Sequence, residues 1–240
     1  MCTGKKLLTA GILTVALLGL TSTSVANKKV KKRAGAPLTS RELKEAEARL
    51  SEMGYSTGRV DGVIDSTTQR ALVTFQKWER RRITGKLTRA ELDAIREATA
   101  PKPKDAGYKH VEVDLDRQVM LLTDDEGAVT KILPVSTGSG ERYREKRMSG
   151  LAYTPRGRFR IYGKLSGWRK SPLGLLYYPN YFSDGLAIHG NPSVPHEPRS
   201  HGCVRIPMSE AKEISGQLPV GTIVLIYDTQ SFVSAKEWVQ

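Results

Sequence analysis

Cysteine is scarce in this chain of 240 residues, which contains two, Cys2 and Cys203. So small a number excludes a scaffold held together by several disulfides. If the N-terminal segment is removed on export, Cys203 remains alone and has no partner for an internal disulfide. A single thiol outside the cytoplasm suggests a reactive group. The alternative is an inert cysteine packed in the core.

The N-terminal region lacks an apolar run long enough to cross a bilayer. Residues 7–20 carry no charge over 14 positions, whereas a transmembrane helix needs about 20. Two lysines precede this run, and small residues follow it up to Ala26, which is typical of a secretory signal peptide. A membrane anchor is the alternative. We expect residues 1–26 to be cleaved, with no stable membrane insertion afterwards and a location in the periplasm or cell wall.

Acidic residues are outnumbered, with 25 Asp and Glu against 38 Lys and Arg and a net charge of +13. Because residues 1–26 carry two lysines and no acid, the remaining chain keeps a charge of +11. A basic exported protein suits an anionic partner. Nucleic acid is not expected outside the cell, so the predicted partner is cell-wall polymer; the alternative is that the charge serves solubility alone. Residues 27–37 are predicted to be a basic disordered arm.

The first half of the remaining chain has helical patterns. Thr39 and Thr88 are each followed three residues later by a glutamate, the pattern of a capping box at a helix start, and another helix is expected from Ser66. These patterns therefore predict a domain of three short helices over residues 38–97. Two prolines and no large apolar residue mark residues 98–107 as a linker.

The second half has strand patterns and one clear helix, over residues 209–218. Val111, Val113 and Leu115 alternate with polar residues, as in a half-buried strand. Five further strand candidates follow, at residues 119–122, 128–135, 157–165, 186–189 and 222–227. The pattern therefore predicts a β-rich domain over residues 108–228, either a mixed sandwich or a distorted barrel. Residues 229–240 are expected to form a C-terminal tail. The whole is an α+β multidomain protein.

The helical half resembles the peptidoglycan-binding-like module of many cell-wall enzymes, over MGYSTGRVDGVIDSTTQRALVTFQ, residues 53–76. The shared positions are Gly54, Tyr55, Gly58, Val60, Asp61, Gly62, Thr68, Ala71, Phe75 and Gln76. Residues 84–88 match the start of the last helix of that module. Asp65 is a departure, because the family usually has glycine there. The resemblance implies a three-helix fold and says little about a binding groove.

Three of the four histidines, His189, His196 and His201, lie close to Cys203 in the sequence. A free thiol has a pKa of about 8.5, so at neutral pH it needs a base or a positive neighbour to react. A histidine within hydrogen-bonding reach supplies both. His201 lies two residues away, on the same side if the backbone is extended. His189 ends a strand-like run that can return to Cys203 through a loop.

Glycines stand beside these residues, at positions 190 and 202. A missing side chain lets a substrate backbone approach and lets main-chain N–H groups face a developing oxyanion. His189-Gly190 together with SHGCVR, residues 200–205, resembles the signature of the L,D-transpeptidase catalytic domain, a cysteine-dependent family that cross-links bacterial cell walls. Further similar stretches are residues 113–115 with Gln118, residues 135–138 and residues 154–159.

The resemblance implies a role for each site residue. Cys203 would be the nucleophile and His189 its general base. Ser200, His201 and Gly202 would shape the oxyanion site, with main-chain N–H groups at Gly202 and Cys203 as donors. The implied substrate-binding residues are Arg205, Gly190, Tyr178, Tyr181 and Phe182. No cofactor and no metal are expected. The long charged segment SGERYREKRMSGLAY, residues 139–153, is expected to cap the site and to affect acceptor choice.

The implied reaction has two steps on peptidoglycan stem peptides. Cys203 attacks the third residue of a donor stem tetrapeptide, and the terminal D-alanine leaves. An amine of an acceptor stem then attacks the thioester and forms a 3-3 cross-link. If water attacks instead, the enzyme is an L,D-carboxypeptidase. A third possibility is a non-catalytic protein that binds the cell wall.

Other chemistries fit the residue types less well. His189, His196, His201 and Cys203 are all capable zinc ligands, but their spacings match no recognised zinc motif and Arg205 disfavours a cation. Sortase-like transpeptidases place the arginine on a later strand, well beyond the cysteine. Papain-like proteases place the cysteine before the histidine.

Overall fold

A computed structural model of the protein describes Met1 and residues 37–145 and 148–229. The predicted cleavage site, residues 27–36 of the predicted arm and the tail after Thr229 lie outside these residues. The described residues from 37 onward belong to one compact unit. None of the helices in this part of the chain has the length and apolar character needed to cross a membrane.

The predicted three-helix domain is present, as α1 (Ser40–Glu52), α2 (Ser66–Trp78) and α3 (Arg89–Glu97). Thr39 caps α1 with the complete reciprocal capping box. Thr88 caps α3 by accepting from the Glu91 N–H at 3.2 Å. The Glu91 carboxylate, however, binds the Arg81 guanidinium at 3.0 Å. The second capping box is therefore only half formed, because an arginine outcompetes the cap N–H for the carboxylate.

Asp65, which replaces the usual glycine, is the N-cap of α2. Its carboxylate accepts from the N–H groups of Thr67 and Thr68, both at 2.8 Å. A carboxylate at this position satisfies N–H groups that lack partners in the helix and interacts favourably with the helix dipole. The departure therefore supports the fold of the module.

Glu47 of α1, which was not singled out from the sequence, organises the turn before α2. Its buried carboxylate accepts from the N–H groups of Asp61 at 3.0 Å and Gly62 at 2.7 Å, and from the Thr68 hydroxyl at 3.0 Å. A buried carboxylate is tolerated only when it is satisfied in this way. The shared Asp61-Gly62 pair is thus held to the first helix by hydrogen bonds.

The described part of the second half contains twelve strands and one helix. In chain order they are β1 (His110–Asp114), β2 (Val119–Thr123), β3 (Val129–Pro134), β4 (Arg142–Glu145), β5 (Met148–Leu151), β6 (Gly157–Arg160), β7 (Gly163–Lys164), β8 (Trp168–Ser171), β9 (Gly174–Ser183), β10 (Leu186–Asn191), β11 (Val204–Pro207), α4 (Met208–Gln217) and β12 (Ile223–Tyr227). One sheet has the order β3-β2-β1-β12-β6 and the other the order β11-β10-β9-β7, with β8 paired to β9. Strands β4 and β5 form a separate hairpin.

The main core lies between the two sheets and α4. It contains residues of the first sheet such as Val113 and Met120, residues of the second such as Ile188 and Val204, and Ile214 of α4. The predicted α+β fold with a β-sandwich is therefore confirmed. It places β10 and β11, which carry the histidine and cysteine motifs, side by side in the second sheet.

Strand β1 is buried on both faces, so the prediction of a half-buried strand was wrong. Its polar face is covered because the Glu112 carboxylate accepts from the N–H groups of Lys104 and Asp105 at 2.9 and 2.8 Å, and from the Tyr227 hydroxyl at 2.9 Å. The segment between the two halves is thus bound to the sheet and is not a free spacer.

The helical domain shares its core with the first sheet. Val119, Leu121 and Ile132 of β2 and β3 pack among the buried residues of the three helices. At the same contact Lys77 of α2 is buried, and its ammonium donates to the carbonyl of Gln118 at 3.2 Å. Burial lowers the pKa of Lys77 to about 8.

Lys77→Met is expected to stabilise the protein at pH 7 by about 1–3 kcal/mol. The upper value is the cost of burying the charge, and the lower value allows for the loss of carbonyl partners. Since the pKa of this lysine is lower in the folded state than in the unfolded state, that cost applies fully below pH 8 and disappears as pH rises from about 8 towards 10.5.

Urea unfolding at pH 7 and pH 10 measures this difference, with the exposed Lys102→Met as the control. A stabilisation that is the same at both pH values would contradict the explanation from the buried charge.

Candidate active site

The residues predicted to react are brought together by a parallel strand pair. His189 of β10 is the register partner of Arg205 of β11, so their side chains lie on the same face. Cys203 comes immediately before β11. All three side chains line one pocket of about 470 Å³, together with Ser200 and His201. The strand pairing therefore brings His189 and Cys203 into one pocket although they are 14 residues apart in the sequence.

His189 is buried, and its ring orientation is fixed by one hydrogen bond. Its Nδ1 lies 2.9 Å from the Gly190 carbonyl oxygen. Because a carbonyl can only accept, Nδ1 carries the proton and Nε2 keeps its lone pair. Burial lowers the pKa of His189 to about 4, and the Arg205 charge adds to this effect while the bond to Gly190 opposes it. The imidazole is therefore neutral at pH 7 and can act as a base.

Cys203 is a free, partly exposed cysteine. Burial raises the pKa of its thiol, and this is opposed by a backbone hydrogen bond from Ala187 and by the Arg205 charge. These two shifts favour a neutral thiol beside a neutral imidazole at neutral pH. Such a thiol needs its proton removed as it attacks.

Ser200 holds the turn that carries the cysteine. Its hydroxyl donates to the Cys203 carbonyl at 2.5 Å and accepts from the Gly202 N–H at 3.0 Å. The Gly202 N–H, expected as an oxyanion donor, is therefore engaged within the turn. Ser200 shapes the site through the backbone.

Thr154 is a positioning residue that the sequence did not reveal as part of the site. Its hydroxyl donates to the Gly202 carbonyl at 2.7 Å and accepts from the Gly138 N–H at 2.8 Å. It thereby links the cysteine turn to the start of the charged segment, residues 139–153, that is predicted to cap the site. The sequence feature that could have pointed to Thr154 is its position in residues 154–159, a stretch that resembles the family.

Arg205 contributes to the site through both backbone and side chain. Its N–H and carbonyl exchange hydrogen bonds with Ser136 at 3.0 and 3.1 Å, which fixes the loop. Among the described residues its guanidinium forms no ion pair, and it lines the pocket with Cys203. The sequence left open whether Arg205 orders the loop or meets a carboxylate, and this geometry is compatible with both.

His201 faces the β4–β5 hairpin. Its Nε2 lies 2.9 Å from the Glu145 carboxylate, and its ring packs edge-on against Tyr143 at 4.7 Å between centroids. The hairpin also contributes Met148 and Leu151 to the pocket wall. The charged segment thus borders the site, and the partner of His201 is this hairpin. Residues 146–147, between the two strands, lie outside the described residues.

The predicted aromatic pocket is only partly present. Tyr181 lines the pocket, but Phe182 is buried in the main core against Phe159, and Tyr178 packs against the same core. Neighbouring residues on a strand point to opposite faces, so Tyr181 and Phe182 cannot both face the substrate. The wall is completed by Leu173 and Leu175, which the sequence did not indicate.

Gly190, expected beside the substrate, is not among the residues that line the pocket of Cys203. A side chain at this position would lie 2.6 Å from the Ala211 Cβ of α4 and 3.1 Å from the Tyr177 ring. The glycine therefore permits close packing of β10 against α4, on the side away from the pocket. Its carbonyl, as the acceptor for His189, is its link to the site.

A zinc site finds no support in the arrangement of side chains. Within residues 37–145 and 148–229, no three His, Cys, Asp or Glu residues are grouped closely enough to hold a metal ion. His196 does not line the pocket of Cys203 and lies instead in a separate groove.

Comparison with known proteins finds relatives of both halves of the chain. A family model for the L,D-transpeptidase catalytic domain matches residues 108–226, and one for a peptidoglycan binding domain matches residues 39–95. A solved L,D-transpeptidase from Xylanimonas cellulosilytica is 36% identical over 78% of this chain and 93% of its own, with a TM-score of 0.73. An L,D-transpeptidase from Stackebrandtia nassauensis is 25% identical over 78% of this chain and 90% of its own, with a TM-score of 0.46. The search of curated proteins found no match.

The fold and these matches define a peptidoglycan-acting enzyme that carries a helical peptidoglycan-binding domain. The chain belongs to the L,D-transpeptidase family. The resemblance identified from the sequence is thereby confirmed for both halves. Such domains are those of a protein associated with the cell wall.

Proposed function

We propose that the protein is exported to the periplasm or cell wall and transfers peptidoglycan stem peptides through a thioester at Cys203. The observation that carries the proposal is the orientation of His189. Its Nδ1 is bound to the Gly190 carbonyl, and its unprotonated Nε2 shares the pocket with the thiol. A neutral base beside a neutral thiol is suited to a reaction in which proton removal accompanies attack.

In the first step, Cys203 Sγ attacks the carbonyl carbon of the third stem residue while its proton passes to His189 Nε2. The oxyanion that forms accepts from the Cys203 N–H. The bond from that carbon to the terminal D-alanine nitrogen then breaks, and His189 returns the proton to the leaving amine. The products are free D-alanine and a thioester.

In the second step, an amine of another stem attacks the thioester carbonyl and loses its proton to His189. The carbon–sulfur bond breaks, and the thiol of Cys203 recovers the proton. The product is an amide that joins two third residues. Attack by water in place of the amine gives a free carboxylate, which is the L,D-carboxypeptidase outcome.

Arg205 is proposed to bind the carboxylate of the terminal D-alanine. Its guanidinium lines the pocket and has no ion pair within the described residues. A carboxylate bound there would place the scissile bond, one residue away, near Cys203. Guanidinium–carboxylate pairs of this kind combine charge with bidentate geometry.

The first test is intact-mass spectrometry of residues 27–240 mixed with a disaccharide-tetrapeptide, beside Cys203→Ala. We expect an adduct equal to the muropeptide without its terminal D-alanine, present in the unmodified chain and absent from the variant. Analysis of released products then distinguishes a cross-linked dimer from a tripeptide.

Circular dichroism and binding to purified sacculi show whether the variant is folded and still attached to the wall. A folded, wall-binding, unmodified protein that forms neither adduct nor product would contradict the proposal and favour a non-catalytic role.

A further inference from the structure

A second concave surface lies between the helical domain and the catalytic domain. This inter-domain groove has a volume of about 930 Å³ and contains neither Cys203 nor His189. Residues that line it include Gln69, Arg70 and Lys86 from the helical domain and Asn191, His196 and Ser209 from the catalytic domain. Its volume lies within the range of sites that hold a ligand of drug size or larger.

The groove adjoins the active site. Asn191 lines the groove and also lines the pocket of Cys203. It lies two residues after His189 on β10, so both side chains are on the same face of the strand. The groove therefore lies next to the pocket, on the side of the proposed base.

The charge of the groove is suited to an anionic ligand. Of the described residues that line it, none is acidic. Arg70 donates to the hydroxyls of Thr67 at 3.0 Å and Ser209 at 3.4 Å. The nearby Asp65 carboxylate is occupied by backbone N–H groups at the start of α2. Among the residues described, neither Arg70 nor the exposed Lys86 forms an ion pair, so a carboxylate bound there would displace no acidic partner.

We propose that the inter-domain groove binds the acceptor stem peptide through its carboxylates. This rests on the proposed function. In the second step the attacking amine must give its proton to His189, so it has to approach Cys203 from the side of that base. The groove lies on that side, at Asn191. The pocket under the hairpin, with Arg205, is the place of the donor stem.

This assignment gives the helical domain a part in the reaction. Two of its side chains, Arg70 and Lys86, form the basic wall of the groove. Because the domain shares a core with β2 and β3, its position relative to the catalytic strands is fixed by packing. A fixed domain can hold an acceptor in register with the thioester, which a loosely tethered one does not.

The test separates the two steps of the reaction for Lys86→Glu, Arg70→Gln and the control Lys102→Glu. Lys86 and Lys102 are both exposed, so their variants change the net charge equally, but only Lys86 lines the groove. Thioester formation is followed by intact mass with the donor muropeptide alone. Its consumption is then followed at increasing concentrations of an acceptor muropeptide that lacks the terminal D-alanine.

We expect Lys86→Glu to raise the acceptor concentration needed for half-maximal consumption by about tenfold, with a smaller rise for Arg70→Gln. Thioester formation should change much less, and Lys102→Glu should resemble the unmodified chain in both steps. Thermal unfolding verifies that each variant is folded.

An unchanged acceptor dependence in both groove variants would overturn the inference. A loss confined to thioester formation would also overturn it, because the groove would then hold the donor strand. If the unmodified chain forms no thioester at all, the proposed function itself fails, and that result is distinct from either of the others.

Discussion

His189→Gln is expected to slow thioester formation at Cys203 by about 10²–10⁴-fold, the usual contribution of a positioned general base. The thiol is neutral because burial raises its pKa, so the reaction depends on removal of its proton. Glutamine is similar in size to histidine but has no basic nitrogen. The rate is measured as single-turnover formation of the adduct by intact mass.

The pH dependence of the same reaction identifies the base. With a pKa of about 4 in the folded protein, His189 is deprotonated through the neutral range. The rate of the unmodified chain should therefore fall only as pH drops through about 4 to 5. This fall in rate at low pH, the acid limb of the pH–rate profile, should disappear in His189→Gln. The residual rate of that variant should increase with pH as the thiolate of Cys203 forms.

His201→Gln is the informative comparison. Its ring contacts Glu145 and Tyr143 of the hairpin, so its loss should change the pocket wall and leave the acid limb in place. Equal losses of rate in the two variants, or an acid limb that vanishes in His201→Gln instead, would make His201 the base.

Much of the fold could be predicted because its signals are local. Thr39 and Thr88 cap helices through atoms three residues away, and a β-rich half follows from its alternating residues. The site motif was equally accessible, since histidine and cysteine next to glycine form a compact and specific pattern. The residues that the cysteine chemistry requires, a histidine and neighbouring glycines, could thus be identified from the sequence.

The orientation of individual side chains was harder to predict from the sequence. Tyr181 and Phe182 are both aromatic, and strand register alone decides that one faces the pocket and the other the core. Gly190 was expected beside the substrate, but it faces α4. A histidine–glycine pair in a sequence does not reveal whether the glycine makes room for a substrate or for a neighbouring helix. These outcomes depend on which strands pair and which helix covers them.

The contact between the two domains could not be predicted at all. Residues 98–107 have the composition of a linker, yet their backbone binds Glu112. Val119 and Leu121 appear in the sequence as residues of one β-rich core, yet they pack with the helices. Long-range burial of this kind leaves no periodic pattern, because each half already looks complete by itself.

Gly202→Ala is expected to lower the rate of thioester formation by about 100-fold or more, because a displacement of the thiol by about 1 Å has an effect of that size. Gly202 has φ of +134°, a conformation that side-chain-bearing residues rarely adopt. A Cβ there would lie 2.7 Å from the Tyr153 carbonyl oxygen and 3.0 Å from Leu186 Cδ2. Since the first of these atoms belongs to the backbone, the turn itself has to move.

The same substitution should destabilise the fold by about 1–3 kcal/mol, the cost of an unfavourable backbone conformation. Gly216→Ala is a matched control, since Gly216 lies in α4 with no atom within 4 Å of an added Cβ, and alanine there should be neutral or stabilising. Urea unfolding and the mass-based rate are compared in both variants. A Gly202→Ala enzyme that retains full activity would show that the cysteine turn can relax without moving the thiol, and that the hydrogen bonds from Ser200 and Thr154, not the glycine, determine its position.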